Sequence, residues 1–476
     1  MLQRFILSLR PYFSILLILS ILSSCKVGQN YQRPITKLPE QFSPQASTAD
    51  TSSVAKMPWR QFFQDAELQN LIGSALTNNF DLQLAIKRIE ENQAYVRQTR
   101  YALLPSVNAQ VAASTVTPSR NSLNGLSLEN FIGTRHLEDY SANLALSWEV
   151  DIWGRIRRQN EATIATFLQT QEAANAVRTN LVANVATGYF NILLLDAQLD
   201  VAKRNLALGD TIVQLVRFQK KSGDVTELAV QQAEAQRQTA DLLRAQLEQG
   251  LIIEQNGLRQ LLGDWPGSIE RGNRLTTYPV ADTLLAGVPA QLLSNRPDVR
   301  ASELGLVAAN ARIGVAQASL YPALTITGSG GLNSFQAQNW FAFPNSLFYN
   351  LAAGLTQPVF LRRQLRTQLE VTTIQQEAAL IQFRQSINNA VKEVANALVQ
   401  SERLQEQERI AIGRVQTLQG AVKNAKLLFK SGMATYLEVI TAQSNALQAE
   451  LALADIKRQR LGAMVEVYRS LGGGWR

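Results

Sequence analysis

Tyr140-Ser141-Ala142-Asn143-Leu144-Ala145-Leu146-Ser147-Trp148-Glu149-Val150-Asp151-Ile152 alternates with a period of two. Every even position is apolar. The odd positions carry Ser141, Asn143, Ser147, Glu149 and Asp151, with Ala145 the one exception. Successive side chains of a strand point to opposite faces, so this stretch is a two-faced strand. Just upstream, Val107, Ala109, Val111 and Ala113 alternate with Ser106, Asn108, Gln110 and Ser114. Together they predict a strand pair over about 106–117 and 139–152.

The pattern returns later in weaker form. Leu324 and Ile326 oppose Thr325, Thr327 and Ser329; Tyr349, Leu351, Ala353 and Leu355 oppose Asn350 and Thr356. A second pair is expected over about 323–333 and 347–360. A two-faced strand suits a half-buried soluble sheet or a membrane barrel, whose apolar face meets lipid and whose polar face lines a wet lumen. Three features favour the barrel. The strands run roughly 9–13 residues, the length of a tilted crossing. Trp148 and Trp153 lie near one end, and Trp340 and Phe341 in the opposite loop, as aromatic girdles would. The chain also opens on an export signal, described below. The polar face then puts Asn108, Gln110, Asn143, Glu149, Asp151, Thr325 and Thr327 in the lumen. Glu149 and Asp151 either bias it toward cations or are simply solvated. Four strands cannot close a barrel, and hydrocarbon does not tolerate an open edge, so the barrel must be shared between chains.

Long helices follow each strand pair. No proline stands between Pro118 and Pro266, or after Pro358. Val177, Leu181, Val185, Tyr189, Ile192, Leu195 and Leu199 step by three or four, which is one apolar stripe. A helix from about Gly154 to Lys221 is a rod of ~100 Å. Ser222-Gly223-Asp224-Val225 reverses it, with Gly223 as the left-handed residue. A return helix carries Leu228 to Leu262. The opposite faces are rich in Gln, Asn, Thr and Ser. They suit a solvated hairpin or a ring of hairpins around a wet channel.

The chain is one unit written twice. Asp81 maps to Asp298 and Pro105 to Pro322, an offset of 217. Val150 maps to Val359, Arg157 to Arg366, and Lys221-Ser222-Gly223 to Lys430-Ser431-Gly432, an offset of 209. The slip falls in a longer first-copy loop near residues 118–138. The expected layout is a signal peptide at 1–24, a lipidated tether and equatorial segment at 25–67, and a first repeat at 68–262 with its hairpin tip at 223. An equatorial linker at 263–295, a second repeat at 296–470 with its tip at 432, and a tail at 471–476 complete it.

Arg4 and Arg10 precede the apolar run Tyr12 to Leu22, too short to span a bilayer and suited to a signal peptide. Leu22-Ser23-Ser24-Cys25 is similar to a bacterial lipobox, and Cys25 is the only cysteine, so Cys25 is expected to carry lipid. Lys26, not Asp, implies sorting to the outer membrane. Residues 26–58 are polar, with Pro34, Pro39, Pro44 and Pro58, and read as an extended surface tether. One Cys and one His, His136 in a turn-rich stretch, exclude disulfides, a Cys/His zinc site and a redox pair. They also argue against a His-based hydrolase. Nucleotide-loop motifs are absent, so neither an enzyme, a cofactor nor a metal is expected. The net charge of +8 comes from interleaved residues, which is no nucleic-acid footprint.

Four motifs carry a family resemblance. Cys25-Lys26-Val27-Gly28-Gln29-Asn30-Tyr31-Gln32-Arg33-Pro34 and Trp59-Arg60-Gln61-Phe62-Phe63-Gln64-Asp65-Ala66-Glu67-Leu68 are two of them. Ser147-Trp148-Glu149-Val150-Asp151-Ile152-Trp153-Gly154-Arg155 and Asn295-Arg296-Pro297-Asp298-Val299 are the others. In this order they resemble the TolC-type outer membrane factor family, in its NodT-like lipoprotein branch. The resemblance implies an α+β membrane protein. In it a homotrimer pools four strands per chain into a 12-stranded barrel in outer-membrane lipid. A long periplasmic helical barrel continues it, wrapped by an equatorial belt from residues near 40–67, 264–290 and the C-terminus. It further implies a passive conduit for small molecules that works with a periplasmic adaptor (membrane fusion protein) and an inner-membrane pump of the RND type. Two alternatives remain: the outer channel of a type I protein secretion system, and a structural periplasmic coiled-coil lipoprotein with no pore.

In that family the hairpin tips are pinched shut at rest. Here the tips carry Lys220, Lys221, Gly223, Asp224 and Glu227 in one copy, and Lys430, Gly432, Thr435, Tyr436 and Glu438 in the other. Relatives place an Asp two residues after the second glycine, where this chain has Ala434. The expectation therefore falls on Glu227 and Glu438 as members of a charged latch between neighbouring hairpins. Solvated tip charges and adaptor contacts are the alternative readings. Arg296-Pro297-Asp298 reads as a helix start, with Asp298 complementing the dipole.

Overall fold

The computed structural model describes residues 27–35, 39, 42, 53–279 and 289–476. The signal peptide at 1–24 and the lipid attachment at Cys25 lie outside the described residues. The chain divides into two compact units.

The first unit takes residues 91–168 and 304–381 with the described residues up to Pro34. Its sheet is antiparallel, in the order β1 (Ser106–Val116), β2 (Leu137–Val150), β3 (Ala323–Ser334) and β4 (Leu347–Thr356). Register unites the alternations on two shared faces. Gln110 pairs with Asn143, Asn108 with Ala145, Ser147 with Thr327 and Glu149 with Thr325. Directly paired residues point to the same side. Asn108, Gln110, Asn143, Glu149, Thr325 and Thr327 therefore lie on one face. Val111, Leu144, Trp148, Ile326 and Leu355 lie on the other. β1 and β4 each pair along one side only, so the sheet keeps two open edges.

Two strand expectations and one loop expectation need correction. β2 stops at Val150 rather than 152, because Asp151 turns to cap the next helix. β4 stops at Thr356 rather than 360; Pro358 has no N–H for the ladder. The loop near 118–138 holds a short helix, Leu123–Ile132.

The helices are α1 (Trp59–Phe62), α2 (Ala66–Asn78), α3 (Phe80–Tyr101), α4 (Leu123–Ile132) and α5 (Arg155–Lys221). They continue with α6 (Glu227–Leu261), α7 (Leu292–Asn295), α8 (Pro297–Ala318), α9 (Gln364–Lys430) and α10 (Tyr436–Ser470). Equivalent helices of the two copies match in length: α3 and α8 have 22 residues, α5 and α9 have 67, α6 and α10 have 35. Gly223 and Gly432 reverse the hairpins at φ of 85° and 76°, a region that glycine enters without a Cβ clash.

The second unit takes the described residues from Ile35 to Glu90, with 169–303 and 382–476. Its core joins Phe63, Leu68 and Ile72 to the α5 stripe at Leu181, Val185, Tyr189 and Ile192, and to Leu461, Val465 and Tyr468 of α10. Phe62 stacks on Tyr468 at 4.1 Å between centroids. Trp59, Phe63, Asp65 and Leu68 of the second sequence motif are all buried. That motif is a packing element rather than a reactive one.

Candidate functional site

The strand-to-helix junction of the first copy is held by charge. Asp151 accepts hydrogen bonds from the Ile156 and Arg157 amides at 2.9 and 3.0 Å, and pairs with the Arg157 guanidinium at 3.2 Å. This caps α5 at its positive end. The Asp151 side chain is only 6% exposed, so it is not a lumen-facing strand residue as expected. Glu149 takes a two-pronged bond from Arg155 at 2.9 and 2.7 Å. It shares the polar face but is already neutralised, neither free to attract cations nor merely solvated. Trp153 donates to the Pro322 carbonyl at 2.8 Å and stacks on Tyr321; Trp148 donates to the Leu103 carbonyl at 2.9 Å.

Residues 28–30 of the expected surface tether are docked on the first unit. Buried Arg158 donates to the Gly28 carbonyl at 2.8 Å and to the Asn30 side chain at 3.1 Å, and pairs with Glu161 at 2.6 Å. Gly28, at φ 86°, lies so close to Gly314 that a Cβ would come within 2.8 Å of its Cα. Asn310 donates to the Gln29 carbonyl.

In the second unit the duplication reaches single hydrogen bonds. Asn79 donates to the carbonyl of Leu261, the last residue of α6, at 2.9 Å. Its counterpart Arg296 donates to the carbonyl of Ser470, the last residue of α10, at 2.9 Å. Arg296 adds two bonds to Asp298 at 2.9 and 2.6 Å and one to Glu393 at 2.9 Å. Glu393 also binds Arg469 at 3.1 Å. Burial disfavours the charged Asp298, but the Arg296 guanidinium outweighs it and holds the carboxyl below the ordinary range. Pro297 and Asp298 do open α8. The sequence reading missed that Arg296 is a buried hub joining three helices. An arginine placed where the first copy has a short amide was the available signal.

Asp65 organises the counterpart region. It caps α2 through the Glu67 and Leu68 amides and accepts from Tyr189 at 3.0 Å and Asn273 at 2.8 Å. Burial pushes the Tyr189 phenol up to about 12. Tyr189→Phe removes one donor to a buried carboxylate and is expected to cost about 1–2 kcal/mol. Thermal melts in detergent measure it, and an unchanged midpoint would discount the bond.

At the tips, the carboxylates expected to latch neighbouring hairpins are engaged locally within the chain. Within the chain, Glu227 pairs with Lys220 of its own hairpin. Glu438 closes a capping box with Thr435 at the start of α10, accepting the Thr435 amide at 2.6 Å. Neither carboxylate pairs with the other hairpin of the same chain. Lys221, Asp224 and Lys430 are exposed. The two hairpins are joined instead by an apolar cluster of Val213, Val216, Val230, Phe429 and Val439, and by Tyr436 donating to Gln232. Burial, with Lys430 nearby, lowers the pKa of Lys426 near the second tip.

Comparison with known proteins follows the same lines. The outer membrane efflux protein family model matches residues 71–264 and 288–473. The cation efflux system protein CusC of Escherichia coli O6:H1 is 31% identical over 95% of this chain and 96% of its own length. The toluene efflux pump outer membrane protein TtgF of Pseudomonas putida is 30% identical over 98% and 97%. A CusC crystal structure, from a study of folding and transmembrane channel formation, superimposes with a TM-score of 0.83 at 29% identity. It covers 94% of this chain and 100% of that one.

Proposed function

The chain belongs to the outer membrane efflux protein family, and from that premise we propose that it is the outer-membrane channel of a tripartite efflux system. One observation carries the reading. The four-stranded sheet has one polar and one apolar face and two open edges. An open edge in lipid leaves backbone groups unpaired at several kcal/mol each. Copies of the chain must therefore join β4 to β1, and three copies make the twelve strands of a closed barrel. The polar face, with Asn108, Gln110, Asn143, Thr325 and Thr327, then lines the lumen.

Acyl chains on Cys25 add a second hold, and the docked Val27–Asn30 segment keeps that hold near the sheet. The hairpin tips meet the periplasmic adaptor, and an inner-membrane pump of the RND type supplies the energy. The resting gate rests on the apolar tip cluster and Tyr436. Relatives of near-equal identity are named for cations and for toluene, so the conduit passes what its pump delivers. CusC and TtgF are both named for efflux, which favours small-molecule export over protein secretion.

The test is electrical. Purified protein in a planar bilayer is expected to give discrete conductance steps, and scattering in detergent about three chains per particle. A stable monomer, or a silent bilayer with inserted protein, contradicts the proposal and returns the pore-less lipoprotein reading.

A further inference from the structure

The two copies part company where strand gives way to helix. In the first copy, Glu149 and Asp151 neutralise Arg155 and Arg157. At the 209-residue offset, Pro358 and Phe360 replace the two carboxylates, and Gln364 replaces Arg155. Arg366 keeps the place of Arg157, so a cation survives without its anion. Trp153-Gly154 becomes Arg362-Arg363. Both arginines have left-handed backbones, at φ 48° and 65°, where the first copy uses Gly154 at 79°. One carboxylate is near: Glu370, 3.4 Å from Arg363, with both side chains well exposed. Val359 and Phe360 stand in front of the arginines, 96% and 83% exposed. They follow β4, whose Tyr349, Leu351 and Leu355 are also exposed on the apolar face.

An apolar strand face, two bare apolar residues and then three cations match the profile of a lipid: acyl chain, interface, phosphate. Arginine forks onto phosphate oxygens through paired N–H donors. Pairing of β4 with another chain would use its backbone edge and leave side chains on the apolar face pointing outward.

We infer that the β4–α9 junction is a binding site for an anionic phospholipid of the leaflet on the helix side. Val359 and Phe360 enter its acyl region. Arg362, Arg363 and Arg366 hold its headgroup phosphate. The inference rests on the barrel proposed above, and it predicts one such site per chain, because the first copy neutralises its own arginines.

The experiment uses the full chain in vesicles of phosphatidylethanolamine and phosphatidylglycerol. Photoreactive p-benzoylphenylalanine is placed at Phe360, and separately at Leu351. Lipid adducts are expected at both positions. Adducts at Leu351 alone, with Phe360 linking to a second copy of the chain or to nothing, overturn the site and leave the barrel intact. No lipid adduct at either position overturns the barrel, and the inference with it. Native mass spectrometry reads the phosphate contact. Arg362→Gln, Arg363→Gln and Arg366→Gln combined are expected to lower retained phosphatidylglycerol about tenfold. Arg362→Gly with Arg363→Gly suits the backbone and should lower it in the same direction, which guards against misfolding. Retention equal to the unmodified chain in both variants overturns the phosphate assignment.

Discussion

Adding one methyl group at Gly472 is expected to destabilise the protein by about 2–4 kcal/mol. A Cβ there would stand 2.6 Å from the Asn295 carbonyl oxygen and 3.0 Å from the Arg296 amide, and φ is 91°. Backbone atoms cannot swing aside as a side chain does, so helix α10 must back away from α7. Gly263 repeats the arrangement at the end of α6, with a Cβ 2.4 Å from the Asn78 oxygen and φ 69°. Gly472→Ala and Gly263→Ala should each lower the melting midpoint read by circular dichroism in detergent. Gly413 is the control. It lies inside α9 with nothing within 4 Å of an added Cβ, and Gly413→Ala should gain up to about 1 kcal/mol from helix propensity. If Gly472→Ala melts with the unmodified protein, the close docking of the helix end is not needed.

Arg296→Ala should cost about 3 kcal/mol. The guanidinium is 5% exposed and satisfies Asp298, Glu393 and the Ser470 carbonyl together. Its loss leaves Glu393 with Arg469 and strands Asp298 and the helix end. Arg296→Lys should recover little, since an ammonium cannot fork to three acceptors. Acid probes the same contact. The folded Asp298 pKa lies below the unfolded one, so its contribution is complete above about pH 4 and fades as pH falls through the lower, folded value. Nearly half of the Asp298 side chain meets solvent, which screens the pair and keeps that acid term small. Asp298→Asn should therefore flatten only a minor part of the acid limb. An Arg296→Ala protein melting within a degree of the unmodified one would remove the hub from the account.

Much of this fold was legible because its signals are periodic. Alternation marked both strand pairs, and register later put their polar residues on one face. The glycine turns stood out because a reversal between long helices needs a left-handed residue. What was missed is tertiary or shares a signal with something else. Asp151 continues the polar alternation of β2, so only the geometry shows it leaving the strand to cap α5. Leu123–Ile132 sits among turn residues and holds Gly125, which hides a short helix. Arg296 looks like an ordinary helix entrance until Ser470, distant in sequence, arrives beside it. The role of Glu438 was readable: Thr435-Tyr436-Leu437-Glu438 has the spacing of a capping box.

The matched helix lengths bear on how this chain can be edited. One residue inserted near the start of α5 would turn everything beyond it by about 100° and advance it ~1.5 Å, so its stripe would no longer face Leu68 and Ile72 of α2 and Tyr468 of α10. Both copies are locked to one ruler. Yet the eight extra residues that the first copy carries fall wholly between Pro105 and Val150, where α4 stands between β1 and β2. The two copies already differ in length there while their paired helices keep equal lengths. In the barrel proposed above, an epitope or affinity peptide spliced beside α4 should be displayed outside the cell on an otherwise unaltered protein, a handle for counting and sorting intact bacteria.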